Sequence, residues 1–364
     1  MLDGSNISHA PALDSDESVE RKYLFLYPDI ATPAIKEIES GTFPKERLTG
    51  YFQLKQMGLK VAISDSQWRG PTAKLRRKLL RYGQLPSFHM LKDWTKNEVI
   101  VVKDRFSLVY SLLAKLLGKK IVYLDTMFQL PTNKLKRLLL KHAIRHSDLV
   151  ISLSKTQGDH WAQELQLPSD KLESLYYSMD CSFYPLVEPK AEEKSPLIVS
   201  IGRDRGRDFE TLTKATTNLG INLELITLPY LLPPSARTSP HIVIKARLPY
   251  DELFATYARA SIAIIPLKSG IHYPSGIRAV MEAMLVGVPV IASYTPVLAE
   301  YFTDGVDLIM VEPENARALE DAINRLLSDP ELRLRLRENG RKTVCTKYKV
   351  ESYGEDLARL LSKV

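Results

Sequence analysis

Glu282 is a carboxylate in apolar company, with Val280, Met281, Ala283, Met284 and Leu285 around it in the chain. A carboxylate so placed is expected to be part-buried and to need hydrogen-bond donors. The two adjacent hydroxyls of a ribose would serve, since one carboxylate can accept from both. Six residues earlier stands Gly276, at the start of the helix that the pattern from Ile277 to Val286 predicts. Backbone N–H groups at such an end, with no side chain in the way, can receive an anion. At 1.5 Å of rise per residue the two positions lie roughly 9 Å apart along the helix, comparable with the span from a diphosphate to the far side of its ribose. A plainer reading stays open at each. Gly276 can be a turn glycine in an ordinary βαβ crossover, and Glu282 can be the i,i+4 ion-pair partner of Arg278.

A second cluster lies in GRDRGRDFETLTKA, where Gly202 is followed by Arg203, Arg205 and Arg207. Guanidiniums near one loop make charge-assisted bonds to phosphate oxygens. The alternative is an exposed loop in which Asp204 and Asp208 neutralise them. Cys181 and Cys345 are far apart in the chain without metal-ligand spacing, which fits a reducing compartment and inert thiols.

The elements that must position these residues alternate strand and helix. Ile262 to Ile265 reads as a buried strand and Pro266 to Ser275 as a loop. Gly287 closes the Glu282 helix, and Val288 to Ala292 is the next strand. Upstream, Leu197 to Ile201, Leu223 to Thr227 and Ile242 to Lys245 are further strands, and Asp251 to Arg259 is a helix. The first half offers strands at Tyr23 to Tyr27, Leu59 to Ile63, Val99 to Val102, Lys120 to Leu124 and Leu149 to Leu153, with helices at Tyr51 to Met57, Leu108 to Leu117 and Ser154 to Leu165. Ligands sit at strand C-terminal ends in such sheets, which marks Asp104, Arg105 and Asp125. Helices at Glu314 to Leu327, Pro330 to Asn339 and Val350 to Leu361 complete the chain. The expected division is a disordered lead at 1–20, a first domain at 21–185, a Pro/Lys/Glu-rich linker at 186–196 and a second domain at 197–349. The last helix, 350–364, can pack back on the first domain.

Length and composition suit such a division. The 364 residues, 45% apolar and 26% charged, are those of a globular chain with two cores. No apolar run approaches the roughly 20 residues that span a bilayer, and the polar lead lacks the apolar stretch of a signal peptide, so a cytoplasmic location is expected. The whole excess of positive charge is in the first half, and between Thr72 and Lys155 18 basic residues stand against 5 acidic ones. Such a patch implies anionic partners. The basic, leucine-spaced segments 73–82 and 133–146 are crossover helices or elements lying on an anionic membrane; for 133–146 the alternation favours the crossover. No zinc-finger, RRM or helix-turn-helix pattern is present, so nucleic acid is not an expected partner.

The run PSGIRAVMEAMLVGVPVIAS resembles the donor-site signature of glycosyltransferase family 4, the retaining glycosyl transferases group 1. The resemblance implies an α/β chain of GT-B fold, two Rossmann-like doubly wound parallel-sheet domains facing a cleft. In it Ser275, Gly276 and Ile277 would hold the donor diphosphate and Glu282 the ribose. Gly202 precedes Arg203 and Arg207, which match the pair that clamps the diphosphate and stabilises the leaving group. The loop carrying Arg247 and Leu248 would meet the nucleobase through backbone groups, and Gly41 and Thr42 fall in the loop that approaches the acceptor. Asp180 matches the Asp of a Gly-Val-Asp segment, with Ser178 replacing its Gly. Two departures stand out. Pro274 occupies the place of the family's first Glu, and the His expected after Leu124 is absent, with Asp125 beside the position.

The activity so implied is transfer of a hexose-type sugar, with retention, from a nucleotide-diphosphate sugar (UDP or GDP) to a saccharide or lipid-linked acceptor in cell-envelope, exopolysaccharide or glycoconjugate synthesis, cytoplasmic or peripheral on the inner face of a membrane. No cofactor or metal is expected, since no Asp-X-Asp pair stands on a suitable loop and the leaving phosphate itself can take the acceptor proton. A non-catalytic partner subunit binding nucleotide or membrane, and a nucleotide-sugar epimerase of the same fold, are the alternatives. An epimerase should carry paired carboxylates or His in the cleft, and the sequence places none there.

Overall fold

The computed structural model describes residues 21–66, 86–125, 129–187 and 195–364. The lead, the basic segment 73–82 and most of the linker lie outside the described residues. The first sheet contains β1 (Lys22–Leu26), β2 (Lys60–Ile63), β3 (Val99–Lys103), β4 (Lys120–Leu124), β5 (Leu149–Ser152) and β6 (Leu172–Ser174), in the order β2-β1-β3-β4-β5-β6. The second contains β7 (Leu197–Ile201), β8 (Asn222–Ile226), β9 (Ile242–Lys245), β10 (Ile262–Ile265), β11 (Val290–Ser293) and β12 (Ile309–Val311), in the order β12-β11-β10-β7-β8-β9. The ladders are parallel, with Val101 opposite Val122 in the first sheet and Ile264 opposite Ile291 in the second. Strands such as VIVVK and IAII are apolar on both faces because helices cover both faces of each sheet.

Strand order locates the place where a ligand can enter. Counted from β7, the second sheet reads 3-2-1-4-5-6, so the chain reverses direction between β7 and β10 and leaves a crevice at their C-terminal ends. The loop after β7 carries Gly202 to Asp208. The loop after β10 leads to Gly276 and the helix Ile277–Val286. Two stretches far apart in sequence therefore meet at one switch point.

The end of the chain returns to the first domain. The two crossings are hydrogen-bonded to each other, Met179 N–H to Tyr348 O at 2.8 Å and Val350 N–H to Met179 O at 3.2 Å. Helix Val350–Ser362 then lays Tyr353, Leu357 and Leu361 against Tyr23 and Phe25. Gly50 makes room for it, since a Cβ there would stand 2.8 Å from Leu357 Cδ2. The preceding helix runs from Pro330 to Lys347, past the expected end at Asn339. Gly340 looks like a stop in sequence, but here it is an approach point: its missing Cβ would lie 2.9 Å from Met284 Cγ on the Glu282 helix.

Helix Lys134–Arg145 is a crossover that buries Leu140, Ala143 and Ile144, while Leu135 and Leu138 stay exposed. Among the described residues no helix is long and apolar enough to cross a membrane.

The crossings also bring Cys181 and Cys345 near enough for their thiols to influence each other, which their sequence separation concealed. The neighbouring Cys181 lowers the Cys345 thiol to about 7, with Arg341 and Lys349 acting in the same direction against burial. The same proximity and burial push the Cys181 thiol up. Because the thiolate is the nucleophile, alkylation by iodoacetamide is expected at Cys345 first, with a rate rising through about pH 7. Mass mapping of the labelled peptides against pH checks the order; equal labelling of both thiols at neutral pH would contradict it.

Candidate functional site

Asp204 ties the two loops at the switch point together. Its Oδ1 accepts from the Gly206 N–H at 3.0 Å, the Ser275 hydroxyl at 2.7 Å and, weakly, the Tyr273 hydroxyl at 3.3 Å; its Oδ2 accepts from Arg207 Nε at 3.0 Å. Burial alone would raise this carboxyl, but Arg207 and the hydrogen bonds from Ser275 and Gly206 hold it below its ordinary value. Arg207 lies under the loop with its side chain 4% exposed. Gly202 permits this, since a Cβ there would stand 2.3 Å from Arg207 Nε.

The other end of the Arg207 side chain reaches toward Gly276. Among the described residues its Nη1 is buried and has no hydrogen-bond partner. It lies 3.3 Å from where a Cβ on Gly276 would be, beside the start of helix Ile277–Val286, whose N-terminus has no side-chain cap. A buried, unpaired charged donor costs more than the 1–3 kcal/mol of a neutral one, and an anion placed between Nη1 and the uncapped N–H groups would satisfy both. Arg203 is exposed on the rim of the same loop, with no partner among the described residues, and Asp208 caps helix Phe209–Leu219 through Thr211 N–H. Asp204 is thus the neutralising partner of Arg207, and it engages only one edge of the guanidinium.

Glu282 is 7% exposed and accepts from Arg278 Nε at 3.0 Å through Oε1. The i,i+4 pair foreseen in the sequence is therefore formed, while Oε2 has no partner among the described residues. Arg278 Nη2 also donates to the Tyr250 hydroxyl. A residue that the sequence did not single out completes the group: Glu46, 2% exposed, on the one-turn helix Lys45–Leu48 of the first domain. Its Oε1 accepts from Tyr184 at 2.6 Å and its Oε2 from Asp180 N–H at 3.1 Å. Burial raises the Glu46 carboxyl against the opposing pull of Arg278. Glu46 stands alone among charged neighbours in sequence, and no periodicity marks it.

Residues 235–343 match the family model described as Glycosyl transferases group 1. Sucrose-phosphate synthase of Thermosynechococcus elongatus superposes with a TM-score of 0.72 at 18% identity, covering 94% of this chain and 99% of that one. The chain has the GT-B fold. Another GT-B structure, that of Anabaena Alr3699/HepE in complex with UDP and glucose, aligns with a TM-score of 0.69 at 15% identity over 94% of this chain and 100% of its own. In sequence, the alpha-D-kanosaminyltransferase of Streptomyces kanamyceticus is 22% identical over 267 residues, 66% of each chain. The chain spans about two thirds of that relative's length and 26% and 28% of the length of two others.

In this GT-B frame the remaining expected residues fall into distinct places. Leu248 packs on the second core, and Arg247 is exposed on the loop after β9. Thr42 donates to Glu37 O at 2.9 Å, and Gly41 takes φ +73°, so together they form the turn that ends helix Ala31–Glu39. Arg105 donates to Tyr27 O at 2.9 Å, and Asp104 is exposed at the end of β3. Asp125 sits at the end of β4 as expected, with its carboxylate tied into the fold: Oδ1 accepts from Tyr353 at 2.9 Å, and Lys103 Nζ is 3.2 Å from Oδ2, which has no hydrogen bond of its own among the described residues. It clamps the C-terminal helix to the first sheet. Tyr353→Phe, which removes a buried donor, is expected to destabilise by about 1–3 kcal/mol. Urea denaturation reads this, and an unchanged midpoint would deny Asp125 the clamp.

Proposed function

We propose that this protein is a glycosyltransferase that binds a nucleotide-diphosphate sugar across the β7/β10 switch point and transfers the sugar to an acceptor held by the first domain. The observation that carries the reading is the unpartnered Nη1 of buried Arg207, aimed at the uncapped helix start at Gly276. The diphosphate occupies that seat, and Glu282 takes the ribose hydroxyls through its free Oε2. Breaking the bond from the anomeric carbon to phosphate leaves charge on the diphosphate. Arg207 and the helix N–H groups stabilise it from fixed positions, with Arg203 reaching in from the rim. The backbone of the loop carrying Arg247 and Leu248 meets the base.

UDP is the carrier we favour, since the Anabaena structure of the same fold holds UDP and glucose. The further terms of the proposal are a hexose-type sugar, retention of configuration without a metal, and a saccharide or lipid-linked acceptor of cell-envelope, exopolysaccharide or glycoconjugate synthesis. The basic first half supports an anionic acceptor, or a membrane face that presents one to a peripheral enzyme. Pro274, in place of a carboxylate beside the sugar, favours a second reading, a partner subunit that binds nucleotide without turnover.

Thermal unfolding with UDP, GDP and ADP tests the seat. A ligand at 100 times its Kd adds about 2.7 kcal/mol, so one of the three should raise the transition clearly and lose its effect in Glu282→Ala. No shift with any of them would remove the donor-site reading. Release of UDP from a labelled donor only when acceptor is added separates the transferase from the silent subunit.

A further inference from the structure

Among the groups around Glu282, the one that the proposed chemistry leaves unused is Glu46. It belongs to the first domain, yet through Tyr184 it lies beside the carboxylate of the donor helix. Arg278 donates through Nε to Glu282 and through Nη2 to the Tyr250 hydroxyl. The rings of Tyr250 and Tyr184 meet edge to face, their centroids 6.3 Å apart, and Tyr184 donates to Glu46 Oε1 at 2.6 Å. Arg278 can only donate, so Glu282 and Tyr250 both accept from it. Tyr184 has one proton, and Glu46 holds it.

The consequence lies at Glu282. Tyr184 Oη is also 3.5 Å from Glu282 Oε1, a contact that becomes a hydrogen bond if its proton turns that way. With the proton given to Glu46 at the shorter distance, the phenol does not join Arg278 on Oε1, and the carboxylate keeps its full charge for the hydroxyls that a ligand brings to Oε2. Building on the donor-site reading above, we infer that Glu46 is a positioning residue for the nucleotide: by holding the Tyr184 proton it keeps Glu282 open to the ribose. The first domain thereby sets the affinity of a site built wholly on the second.

The alternative is that Glu46 only fastens the crossing at Asp180. It does so through Oε2 and the Asp180 N–H, and Asp180 Oδ2 accepts in return from Lys45 N–H at 3.3 Å. Glutamine separates the two roles. In Glu46→Gln the amide oxygen is required by the Asp180 N–H, so the NH2 faces Tyr184 and donates to it. The Tyr184 proton is then turned toward Glu282.

Calorimetric titration of UDP into the full chain reads the result. Glu46→Gln is expected to weaken UDP by about tenfold, the scale of one charged hydrogen bond in competition. Tyr184→Phe alone should bind UDP within about twofold of the parent, and the double variant should recover most of the loss, because no phenol proton is left to occupy Glu282. A merely structural Glu46 predicts the reverse, with the double variant no better than Glu46→Gln, and that result overturns the inference, as does a Glu46→Gln affinity within about twofold of the parent. Unfolding midpoints are measured alongside. Should Glu46→Gln not fold, Glu46→Asp, which keeps the charge but draws it back from Tyr184, carries the same two expectations. The reading beneath fails separately: if UDP, GDP and ADP do not bind the parent, or Glu282→Ala binds as the parent does, the donor site is lost and the role of Glu46 with it.

Discussion

Arg207→Ala is expected to lower kcat/KM for sugar transfer by on the order of 10²–10³-fold, the effect of removing one fixed donor from developing charge in a closed site. The burial of Arg207 is the reason for the size. Its Nε is spent on Asp204, and its Nη1 has no partner among the described residues, which leaves this nitrogen for the ligand of the proposed seat. Arg207→Lys should recover little of the loss. A lysine has no second edge with which to hold Asp204 and phosphate together, and the bare backbone at Gly202 is shaped for the guanidinium stem. Arg203→Ala, on the exposed rim, should cost far less. The check is UDP release from a labelled donor together with UDP affinity. If Arg207→Ala retained both within a few-fold, the seat would not be the phosphate site.

The contrast between the two arginines marks where sequence reading reaches its limit. Both follow a strand and a glycine, and their guanidiniums are equivalent in the string. What distinguishes them is Gly202, whose missing Cβ leaves room under the loop for one and not the other. The strands and the Glu282 helix were legible because apolar runs such as IAII and the pattern from Ile277 to Val286 carry their period locally. The ion pair of Glu282 with Arg278 was legible for the same reason, being four residues long. Glu46 was not, since its partners Tyr184 and Asp180 are more than 130 residues away. Cys181 and Cys345 meet only because the chain crosses between domains twice. Asp125 stands at a strand end as its position implied, but its bond from Tyr353 spans 228 residues, and no local pattern announces it. Helix Ala31–Glu39 was hidden by Pro33, which sits in the first turn, where a missing N–H breaks no bond.

Gly276→Ala should be damaging twice over, and the two losses can be read separately. Gly276 holds φ +80°, a left-handed conformation that costs an L-residue roughly 1–2 kcal/mol. Its Cβ would also stand 2.7 Å from Ile265 Cγ2 at the end of β10, and overpacking of this kind costs about 1–3 kcal/mol. Urea denaturation without nucleotide should therefore show a loss of about 2–5 kcal/mol from these two sources together. The second loss is in binding. The new methyl would lie 3.3 Å from Arg207 Nη1, in the space where a phosphate oxygen must meet both the guanidinium and the helix N–H groups. Asparagine tolerates the left-handed region better than alanine, so Gly276→Asn should lose less from the backbone, yet it fills the same space. The expected result is two variants unlike in backbone strain and alike in failing to bind UDP. If Gly276→Ala bound UDP as the parent does, the helix start would not receive the phosphate, whatever the variant's stability. If Gly276→Asn bound UDP while the alanine variant did not, the loss would belong to the backbone and not to the seat.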